Sequence, residues 1–345
     1  MTDWHSYKKA GVNIDAADAA KRDMARSMEA ADARVLNRIG AFASLYDARF
    51  AEYEHPVLVF KMEEPGSKQA IALQHGRVRA ICYDLVNHLV NDVIVMGAKP
   101  LCVQDVIVCG KLEKEVVTEL VDAMAAACRE QGCTLTGGET SEQPGVVAPG
   151  TYILAASIVG VAEKSAILDG SKISEGDAVL AAVSNGLHTN GYSLVRALMA
   201  SKPEVVDMQV EGRRFLEVIL EPHRCYYHAF KGLFGLAGLH GIAHITGGGL
   251  RGNLNRILPD GLDAAINLDS IRILPIFKLI RRMGNVPGDD MLWTFNLGVG
   301  MTIVARRSAV GRIQEHLADH ECESYVIGEI VKGKREVTFD GVLRW

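Results

Sequence analysis

The sequence predicts a two-domain protein of mixed helix and strand, and three observations support this prediction. The chain has 345 residues, which is more than one domain usually contains. Its residues are 48% hydrophobic and 23% charged, a composition typical of a globular protein with a sizeable core. Segments typical of strands and of helices follow one another without strict alternation, so the pattern fits an α+β fold as well as an α/β fold.

The first half contains segments of both kinds. Residues 15–38 are rich in Ala and favour a helix. The clearest helix covers 113–131, because its apolar residues recur at helical spacing and Gly132 follows its end. The other elements predicted in this half are strands over 56–61, 100–109 and 151–161, and a helix over 81–96 that ends at Gly97.

The second half begins after a boundary near 164–176, where Asp, Gly, Ser and Lys cluster. We therefore expect domains at 1–165 and 166–345. The elements predicted in this half are strands over 178–184, 242–245 and 295–305, and helices from about 193 and over 253–258.

Charge, hydropathy and cysteine usage exclude several classes of protein. Lys plus Arg is 37 and Asp plus Glu is 42, and no basic patch stands out, so we expect no nucleic-acid partner. No apolar run approaches the length of a membrane span, and the amino terminus has no apolar signal region, so we expect no membrane partner. The seven cysteines form no Cys-x-x-Cys pair, which favours reduced thiols and a cytoplasmic protein.

The predicted helix over 81–96 carries a stripe of short polar side chains on an otherwise apolar surface. At 3.6 residues per turn, one face contains Asp84, Asn87, His88, Asn91 and Asp92. Short acids and amides coordinate hard cations or hold hydrogen-bond networks, so the stripe indicates a buried or cleft-lining site. A partly buried surface helix with ordinary polar residues explains the stripe about equally well.

Four glycine-rich turns, over 63–68, 137–140, 185–193 and 244–249, concentrate further polar or ionisable residues. Glycine lets a ligand approach the backbone closely, and the third turn leads into a helix whose amino terminus favours anions. Simpler interpretations stay open. The first turn can be a charged surface turn, the second a tight turn, and His188 in the third a structural or exposed histidine.

The fourth turn formally satisfies the dinucleotide pattern G-x-G-x-x-G over 247–252, with Asp269 at the spacing of a ribose-binding acid. No repeated βαβ units surround it, so a glycine-rich anion-binding turn explains it with fewer assumptions. The chain has no Walker A lysine motif, kinase signature, serine nucleophile elbow or His-rich zinc motif. The turns therefore suit phosphate and metal handling shared between two domains.

Five motifs occur in order along the chain. They are Asn91-Asp92, Gly137-Gly-Glu-Thr140, His188-Thr-Asn-Gly-Tyr-Ser-Leu194, His244-Ile-Thr-Gly-Gly-Gly249 and Phe295-Asn-Leu-Gly-Val-Gly-Met301. Together they resemble the phosphoribosylformylglycinamidine cyclo-ligase family, also called aminoimidazole ribonucleotide synthetase. The opening over 6–15 is similar too, so the resemblance covers nearly the whole chain.

This resemblance implies an ATP-dependent ring closure in purine biosynthesis. Formylglycinamidine ribonucleotide becomes aminoimidazole ribonucleotide, with release of ADP and phosphate, and the implied cofactors are ATP and Mg²⁺. The implied architecture is α+β and PurM-like, with two domains. The N-terminal domain binds ATP and metal and forms a shared β-barrel in a homodimer, and the C-terminal α+β domain completes the cleft.

The resemblance also assigns roles to residues. The implied catalytic residues are His188, His244 and Lys68. The implied metal ligands are Asp92, Glu63, Asp84 and Glu139. The implied cofactor-binding residues are Gly66, Ser67, Lys68, Asn91, Gly137, Gly138, Asn190, Gly191, Thr246, Gly247, Gly248 and Gly249. The motifs do not decide which histidine moves protons.

The chain departs from the family at the nucleotide loop, where the usual Asp-Gly-Val-Gly-Thr-Lys is replaced by Glu63-Glu-Pro-Gly-Ser-Lys68. Asn87 and His88 also stand where the family usually has small or apolar residues. The leading hypothesis is an active cyclo-ligase with a variant loop. The alternatives are another ATP-using enzyme of the same superfamily and a non-catalytic dimeric paralogue that binds nucleotide.

Overall fold

The computed structural model describes Met28, residues 32–37 and residues 41–345 of the chain. The opening motif over 6–15 and most of the helix predicted over 15–38 lie outside these residues. In the described part, each half builds its own main sheet and adds helices to it. The two-domain α+β fold is therefore confirmed. None of the described helices is long and apolar enough to span a membrane.

The first half is a four-stranded sheet covered on one face by helices. Its strands, in the spatial order β1-β4-β2-β3, are β1 (Pro56–Glu63), β4 (Tyr152–Glu163), β2 (Lys99–Cys109) and β3 (Thr134–Glu142). Strands β2 and β3 are parallel, and the other neighbouring pairs are antiparallel. The helices are α1 (Lys68–Gln74), α2 (Val78–Ile94) and α3 (Lys114–Glu130).

Helix α2 is buried on nearly all sides. Five of its apolar side chains have no exposed surface: Leu85, Val86, Leu89, Val90 and Val93. A helix enclosed in this way presents its polar stripe to protein, so the alternative of a surface helix does not hold. Gly97 follows the helix with a positive φ of 75°, as predicted for a glycine beyond a helix end.

The second half is a six-stranded sheet in the order β12-β9-β11-β5-β10-β8. Its strands are β5 (Ala178–Val183), β8 (Leu239–His244), β9 (Leu262–Asn267), β10 (Val299–Ala305), β11 (Ser324–Lys332) and β12 (Val337–Asp340). All neighbouring pairs are antiparallel except β12 with β9. A separate small hairpin joins β6 (Gln209–Val210) to β7 (Arg213–Arg214).

Seven further helices accompany this sheet. They are α4 (Tyr192–Ser201), α5 (Phe215–Ile219), α6 (Tyr227–Phe230), α7 (Gly249–Leu254), α8 (Pro275–Gly284), α9 (Gly288–Thr294) and α10 (Val310–Asp319). Buried apolar residues of both halves form one connected core. The extended segment between α5 and α6 crosses to the polar stripe of α2, which makes α2 the junction of the two halves.

Two elements differ from their sequence prediction. The strand predicted over 295–305 begins only at Val299, because Leu297 and Gly298 take positive φ angles of 53° and 110°. The helix predicted over 253–258 is α7, which starts directly after the glycine turn at Gly249 and ends at Leu254. A short 3₁₀ turn, Asn255–Ile257, covers most of the predicted span.

Candidate active site at the junction of the two halves

The two amides of the α2 stripe bind the backbone of the segment between α5 and α6. Asn87 Nδ2 donates to the carbonyl of His223 at 2.7 Å, and Asn91 Nδ2 donates to the carbonyl of Arg224 at 2.8 Å. Asn91 Oδ1 also accepts from the backbone N–H of Tyr226 at 2.9 Å. These side chains satisfy a buried backbone that has no sheet partner there. The structure thus gives Asn91 a docking contact, and its ATP-binding role stays a prediction.

Lys68 and Asp84 form a fully buried ion pair beneath this segment. Lys68 Nζ donates to Asp84 Oδ1 at 2.8 Å, to the carbonyl of Glu221 at 2.7 Å and to the carbonyl of His188 at 3.2 Å. Asp84 Oδ1 also accepts from the backbone N–H of His223 at 2.7 Å. All three ammonium protons therefore have acceptors within the chain. The pair ties the nucleotide-loop lysine to two loops of the second half.

Burial shapes the electrostatics of this pair. It lowers the pKa of Lys68 and raises the pKa of Asp84, while their mutual attraction opposes both shifts. Both side chains have 0% exposed surface, so neither faces a cleft. The sequence placed Lys68 at ATP phosphates and in catalysis and Asp84 on a metal. In the structure the charged groups of Lys68 and Asp84 contact partners inside the protein, and their ATP, catalytic and metal roles stay predictions.

The acidic end of the stripe meets strand β1. Alternation along β1 puts Lys61 and Glu63 on the same face, the one that packs on α2. Lys61 Nζ lies 2.7 Å from Glu63 Oε1 and 3.1 Å from Asp92 Oδ2. His88 Nε2 lies 3.7 Å from Asp92 Oδ2 and 4.0 Å from Glu63 Oε1. Two carboxylates therefore share one cation at the edge of the junction.

Asp92 is the best-connected of the predicted metal ligands. Its Oδ1 lies 2.7 Å from His244 Nδ1, at the end of β8 in the second half. Burial by itself would raise the pKa of Asp92, but the hydrogen bond with His244 and the nearby positive charges hold that pKa below its ordinary value. Asp92 is thus a carboxylate that remains ionised and links the two halves.

Four histidines converge next to Asp92, and we call them the histidine cluster: His88, His188, His223 and His244. His223 Nε2 and His244 Nε2 are 3.1 Å apart. The rings of His188 and His223 stack with centroids 3.9 Å apart. Thr189 Oγ1 lies 3.2 Å from His88 Nδ1 and 3.5 Å from His223 Nδ1. The cluster is built from one helix, two loops and one strand end, so no local sequence pattern marks it.

Three of the four side chains in the histidine cluster are uncharged at neutral pH. Burial lowers the pKa of His88 to about 4, and it lowers the pKa values of His188 and His223 well below the ordinary value. Neutral imidazoles each offer a nitrogen lone pair, which can accept a proton or bind a metal ion.

His188 is strained as well as buried. Its φ is 58°, a left-handed conformation that is uncommon for a residue other than glycine. Among the described residues, neither ring nitrogen has a hydrogen-bond partner, although the residue is only 2% exposed. Strain of this kind in a buried polar residue is typical of functional sites.

The second glycine turn has a structural function. A Cβ at Gly138 would lie 2.2 Å from Asp105 Oδ1, so the glycine makes room for a carboxylate of the adjoining strand β2. Burial raises the pKa of Asp105 to about 7. Glu139 is exposed on β3 and belongs to neither group of converging ligand atoms found among the described residues. The ligand roles of Gly137, Gly138 and Glu139 stay predictions.

The side chain of Asn253 stabilises the fourth turn by hydrogen bonds. Its Nδ2 donates to the carbonyls of Thr246 and Gly247, both at 3.2 Å, and of Gly249 at 2.8 Å. A Cβ on Gly247 would lie 3.5 Å from Asn190 Oδ1, so the third and fourth turns face each other. The two turns contain His188 and His244 and therefore adjoin the histidine cluster.

The topology excludes the dinucleotide interpretation of the fourth turn. Strand β8 lies at the sheet edge beside antiparallel β10, so the turn does not belong to a parallel βαβ unit. The expected ribose acid, Asp269, pairs with Arg344 instead.

The structure brings some of the predicted residues together and separates others. Those at the junction of the two halves are Glu63, Gly66, Asn190, Asp92, His188, His244, Thr246 and Gly247. Gly66 faces the third turn, since a Cβ there would lie 3.6 Å from the Thr189 carbonyl. Gly191 packs against the ring of Phe295, where a Cβ would lie 2.1 Å from a ring carbon. Ser67 begins α1, and Gly248 and Gly249 turn the chain into α7.

Lys61 and His223 are not among the residues predicted for the site, and His88 has no predicted role. The alternation of β1 could have placed Lys61 beside Glu63. No pattern pointed to His223, because it reaches the site only through the docked segment.

Comparison with known proteins defines the family of the chain. The family model described as AIR synthase related protein, N-terminal domain, matches residues 47–162, and the corresponding C-terminal domain matches residues 174–341. Phosphoribosylformylglycinamidine cyclo-ligase from Carboxydothermus hydrogenoformans is 41% identical over 96% of this chain and 98% of its own length. The protein of the same name from Methylobacillus flagellatus is 39% identical over 94% of each chain.

Solved structures share the fold at low sequence identity. Escherichia coli HypE matches with a TM-score of 0.69 and 17% identity over 94% of each chain. Thiamine-monophosphate kinase from Stenotrophomonas maltophilia matches with a TM-score of 0.66 and 17% identity, over 94% of this chain and 97% of the other. A HypE structure in complex with ATP matches with a TM-score of 0.64 and 17% identity, over 92% and 89% of the two chains. These likenesses establish the fold of the chain.

Proposed function

The chain belongs to the phosphoribosylformylglycinamidine cyclo-ligase family and is an ATP-dependent ligase of purine biosynthesis, and we propose that its chemistry takes place at the junction cleft beside Asp92. The reaction closes the ring of aminoimidazole ribonucleotide. ATP transfers a phosphoryl group to the formamide oxygen of the substrate. An amidine nitrogen then attacks the formamide carbon, and phosphate leaves. The site must therefore bind phosphoryl charge and accept one proton.

The observation that carries this proposal is the arrangement around Asp92. Asp92 comes from the first half, but it contacts His244 from the second half at 2.7 Å and shares Lys61 with Glu63. The glycine turns containing Gly66 and Gly247 meet at the same junction. Positive charge, glycine turns and imidazoles thus meet at one junction between two domains, and ligand sites commonly form at such junctions.

We place the ATP phosphates against these turns, with Lys61 contacting phosphoryl oxygens. Mg²⁺ would accompany the nucleotide, and its charge would neutralise the phosphates. Asp92 and Glu63 are the residues that would hold it. Their donor set fits this ion, because both are carboxylates and they already share one cation. Asp84 does not fit, because its Oδ1 is committed to Lys68 and the His223 backbone.

We propose His244 as the group that accepts the amidine proton. An imidazole whose Nδ1 is bonded to a carboxylate is fixed in orientation, and the lone pair of its Nε2, 3.1 Å from His223 Nε2, is the one that would accept the proton. Lys68 acts as a positioning residue for His188 through its hydrogen bond to the His188 carbonyl.

A steady-state assay with formylglycinamidine ribonucleotide, ATP and Mg²⁺ tests this placement. Asp92→Asn should reduce kcat by roughly 10²-fold or more, a loss typical for one electrostatic group in an active site. The exposed acid Asp319 gives a control, since Asp319→Asn should match the parent. Full turnover of Asp92→Asn would contradict the proposal.

We also propose that the chain forms a homodimer through the uncovered face of the first sheet. Phe60 and Met62 on β1 are each 70% exposed, and Leu58, Ile153 and Val106 extend this apolar face across β4 and β2. An apolar sheet face of this extent usually has a partner, and the family architecture supplies one in a shared barrel. Phe60→Glu should convert the dimer to a monomer in light scattering. Val146→Glu, at an 80% exposed turn position, should not. A dimer unaffected by Phe60→Glu would refute this interface.

Two further predictions complete the proposed function. The domain boundary at 165/166 fits the gap between the two matched families, at 162 and 174. A cytoplasmic location fits the seven free cysteines, five of which are buried.

A further inference from the structure

We propose that His188, His223 and His244 form a binding site for one divalent transition-metal ion of the Zn²⁺ type, with Asp92 orienting His244. We call this the three-histidine site. It is distinct from the Mg²⁺ that accompanies ATP, and an ion bound to His244 Nε2 would block the proton transfer proposed above for that nitrogen.

The three side chains already have the spacing of metal ligands. One ring nitrogen from each lies within 4.8 Å of the others. His223 Nε2 and His244 Nε2 are 3.1 Å apart. Two nitrogens bound to one tetrahedral Zn²⁺ ion at its usual bond length are roughly 3.3 Å apart. A metal ion between these two nitrogens therefore requires little movement of the backbone.

The Asp92–His244 contact is the outer hydrogen bond that metal-binding histidines usually make. In such sites the second ring N–H donates to a carboxylate, which fixes the tautomer and makes the ligating nitrogen more basic. Here His244 Nδ1 is 2.7 Å from Asp92 Oδ1, so the lone pair of Nε2 points to His223. The arrangement directs His244 inward, toward the other imidazoles.

His188 gives independent support for a ligand. Among the residues that the structure describes, it has no hydrogen-bond partner at either ring nitrogen, and it is 2% exposed. Buried polar groups nearly always have a bonding partner, so the lack of one at His188 indicates a bound ligand. The His188 ring is stacked on His223, so it must rotate to bind the same ion. Among the described residues, no hydrogen bond to the ring opposes this rotation. A metal ion would satisfy this imidazole.

The donor type selects the class of metal. Each of the three residues would bind the ion through an imidazole nitrogen. Imidazole nitrogen suits Zn²⁺, Co²⁺ and Ni²⁺, whereas Mg²⁺ prefers oxygen donors. The three-histidine site should therefore not bind Mg²⁺ at the Mg²⁺ concentrations that saturate the ligase.

A second overlapping group consists of His88, Asp92 and His244. We do not choose it, because Asp92 Oδ1 is already bonded to His244 Nδ1 and His88 Nδ1 faces Thr189. This difference makes the ligand set testable, since His88 belongs only to the second group and His188 only to the first.

The test is metal binding by the full-length, untagged, metal-free protein. Zn²⁺ and Co²⁺ are titrated separately in the presence of excess Mg²⁺, and the bound metal is counted by elemental analysis. We expect one ion per chain and visible Co²⁺ bands typical of four-coordinate nitrogen sites. No stoichiometric binding by the folded parent, or displacement by Mg²⁺, would overturn the proposal.

Variants assign the ligands. His223→Gln and His188→Gln should each weaken Zn²⁺ affinity by more than 100-fold, and Asp92→Asn by roughly 10–100-fold, as for other orienting carboxylates. His88→Gln should change affinity by less than 10-fold. Unchanged affinity in His223→Gln, or loss in His88→Gln with retention in His188→Gln, would refute this ligand set.

Two control variants show whether histidines outside the cluster bind the ion. Half-buried His316 and exposed His320, with ring centroids 4.4 Å apart on α10 and at its end, form a second histidine pair that could bind metal by itself. Loss of the stoichiometric ion in His320→Gln would assign binding to that pair and contradict the proposal. His240→Gln is the matched buried control, because His240 is bonded to Asp177 away from the cluster. It should retain the ion, and circular dichroism of each variant reports whether it is folded.

Discussion

Lys68→Met should unfold the junction more than it weakens ATP binding. The substitution removes an ammonium with three acceptors and leaves the carboxylate of Asp84 buried without its counter-charge. Breaking one side of a buried ion pair costs about 3–5 kcal/mol. At roughly 2 °C per kcal/mol for a large domain, we expect Tm to fall by about 6–10 °C.

The double variant isolates the cause. Lys68→Met with Asp84→Asn removes both charges, and the asparagine oxygen can still accept from the His223 N–H. We expect the double variant to recover more than half of the lost stability, so the two substitutions should be strongly non-additive. Urea unfolding of the parent, both single variants and the double variant measures this coupling.

The opposite result would restore the role predicted from the motif. If Lys68→Met unfolds within about 1 °C of the parent while the KM for ATP rises at least 10-fold, Lys68 is a phosphate ligand and the buried ion pair is not structural. The KM measurement on folded enzyme separates these two outcomes.

Two pH predictions follow from the buried titratable groups. The unfolded chain protonates its histidines near pH 6.5, but folded His88 stays neutral to about pH 4, so the free energy of unfolding should fall as pH drops from about 6.5 to 4. In metal-free protein, His88→Asn should flatten this fall by up to about 1.4 kcal/mol per pH unit, and an unchanged slope would contradict the shifted pKa. Asp105 acts in the opposite sense: its pKa of about 7 means that stability is lost as pH rises from about 4 to 7. Asp105→Asn should therefore be more stable than the parent at pH 8, by a few kcal/mol, and nearly equal at pH 4. Urea unfolding at both pH values measures it, and a difference independent of pH would show that the carboxylate is not the cause.

The polar stripe of α2 could be identified from the sequence, but its burial was one of two open alternatives and its partners could not be predicted. Short polar residues among Leu and Val on one helix indicate an interior polar site, and the structure shows that interior. Sequence spacing could not separate Asn87 and Asn91 from Asp92, since their partners are more than 130 residues away in the chain. The position of the segment between α5 and α6 determines which side chains of the stripe bind backbone, and this position is visible only in the structure.

The glycine turns and the histidine cluster show the same limit. A glycine that admits a ligand and one that admits a neighbouring side chain look alike in sequence, and Gly138 is of the second kind because Asp105 lies against it. The chain has no local His-rich zinc motif, as the sequence indicates. That absence does not exclude a cluster, because His188, His223 and His244 come from separate elements of the second sheet and its loops.

We propose that the α2 stripe serves two purposes. Asn87 and Asn91 hold the segment between α5 and α6 in place, and Asp92 takes part in the reaction. The most direct test measures kcat and Tm together for Asn87→Ala and Asp92→Asn. Asn87→Ala loses one hydrogen bond to the docked segment, so it should lower stability by about 1 kcal/mol and keep kcat within about threefold of the parent. Asp92→Asn should lose kcat by roughly 10²-fold or more while remaining folded. If Asn87→Ala abolished turnover and Asp92→Asn retained it, the division of the stripe would be contradicted.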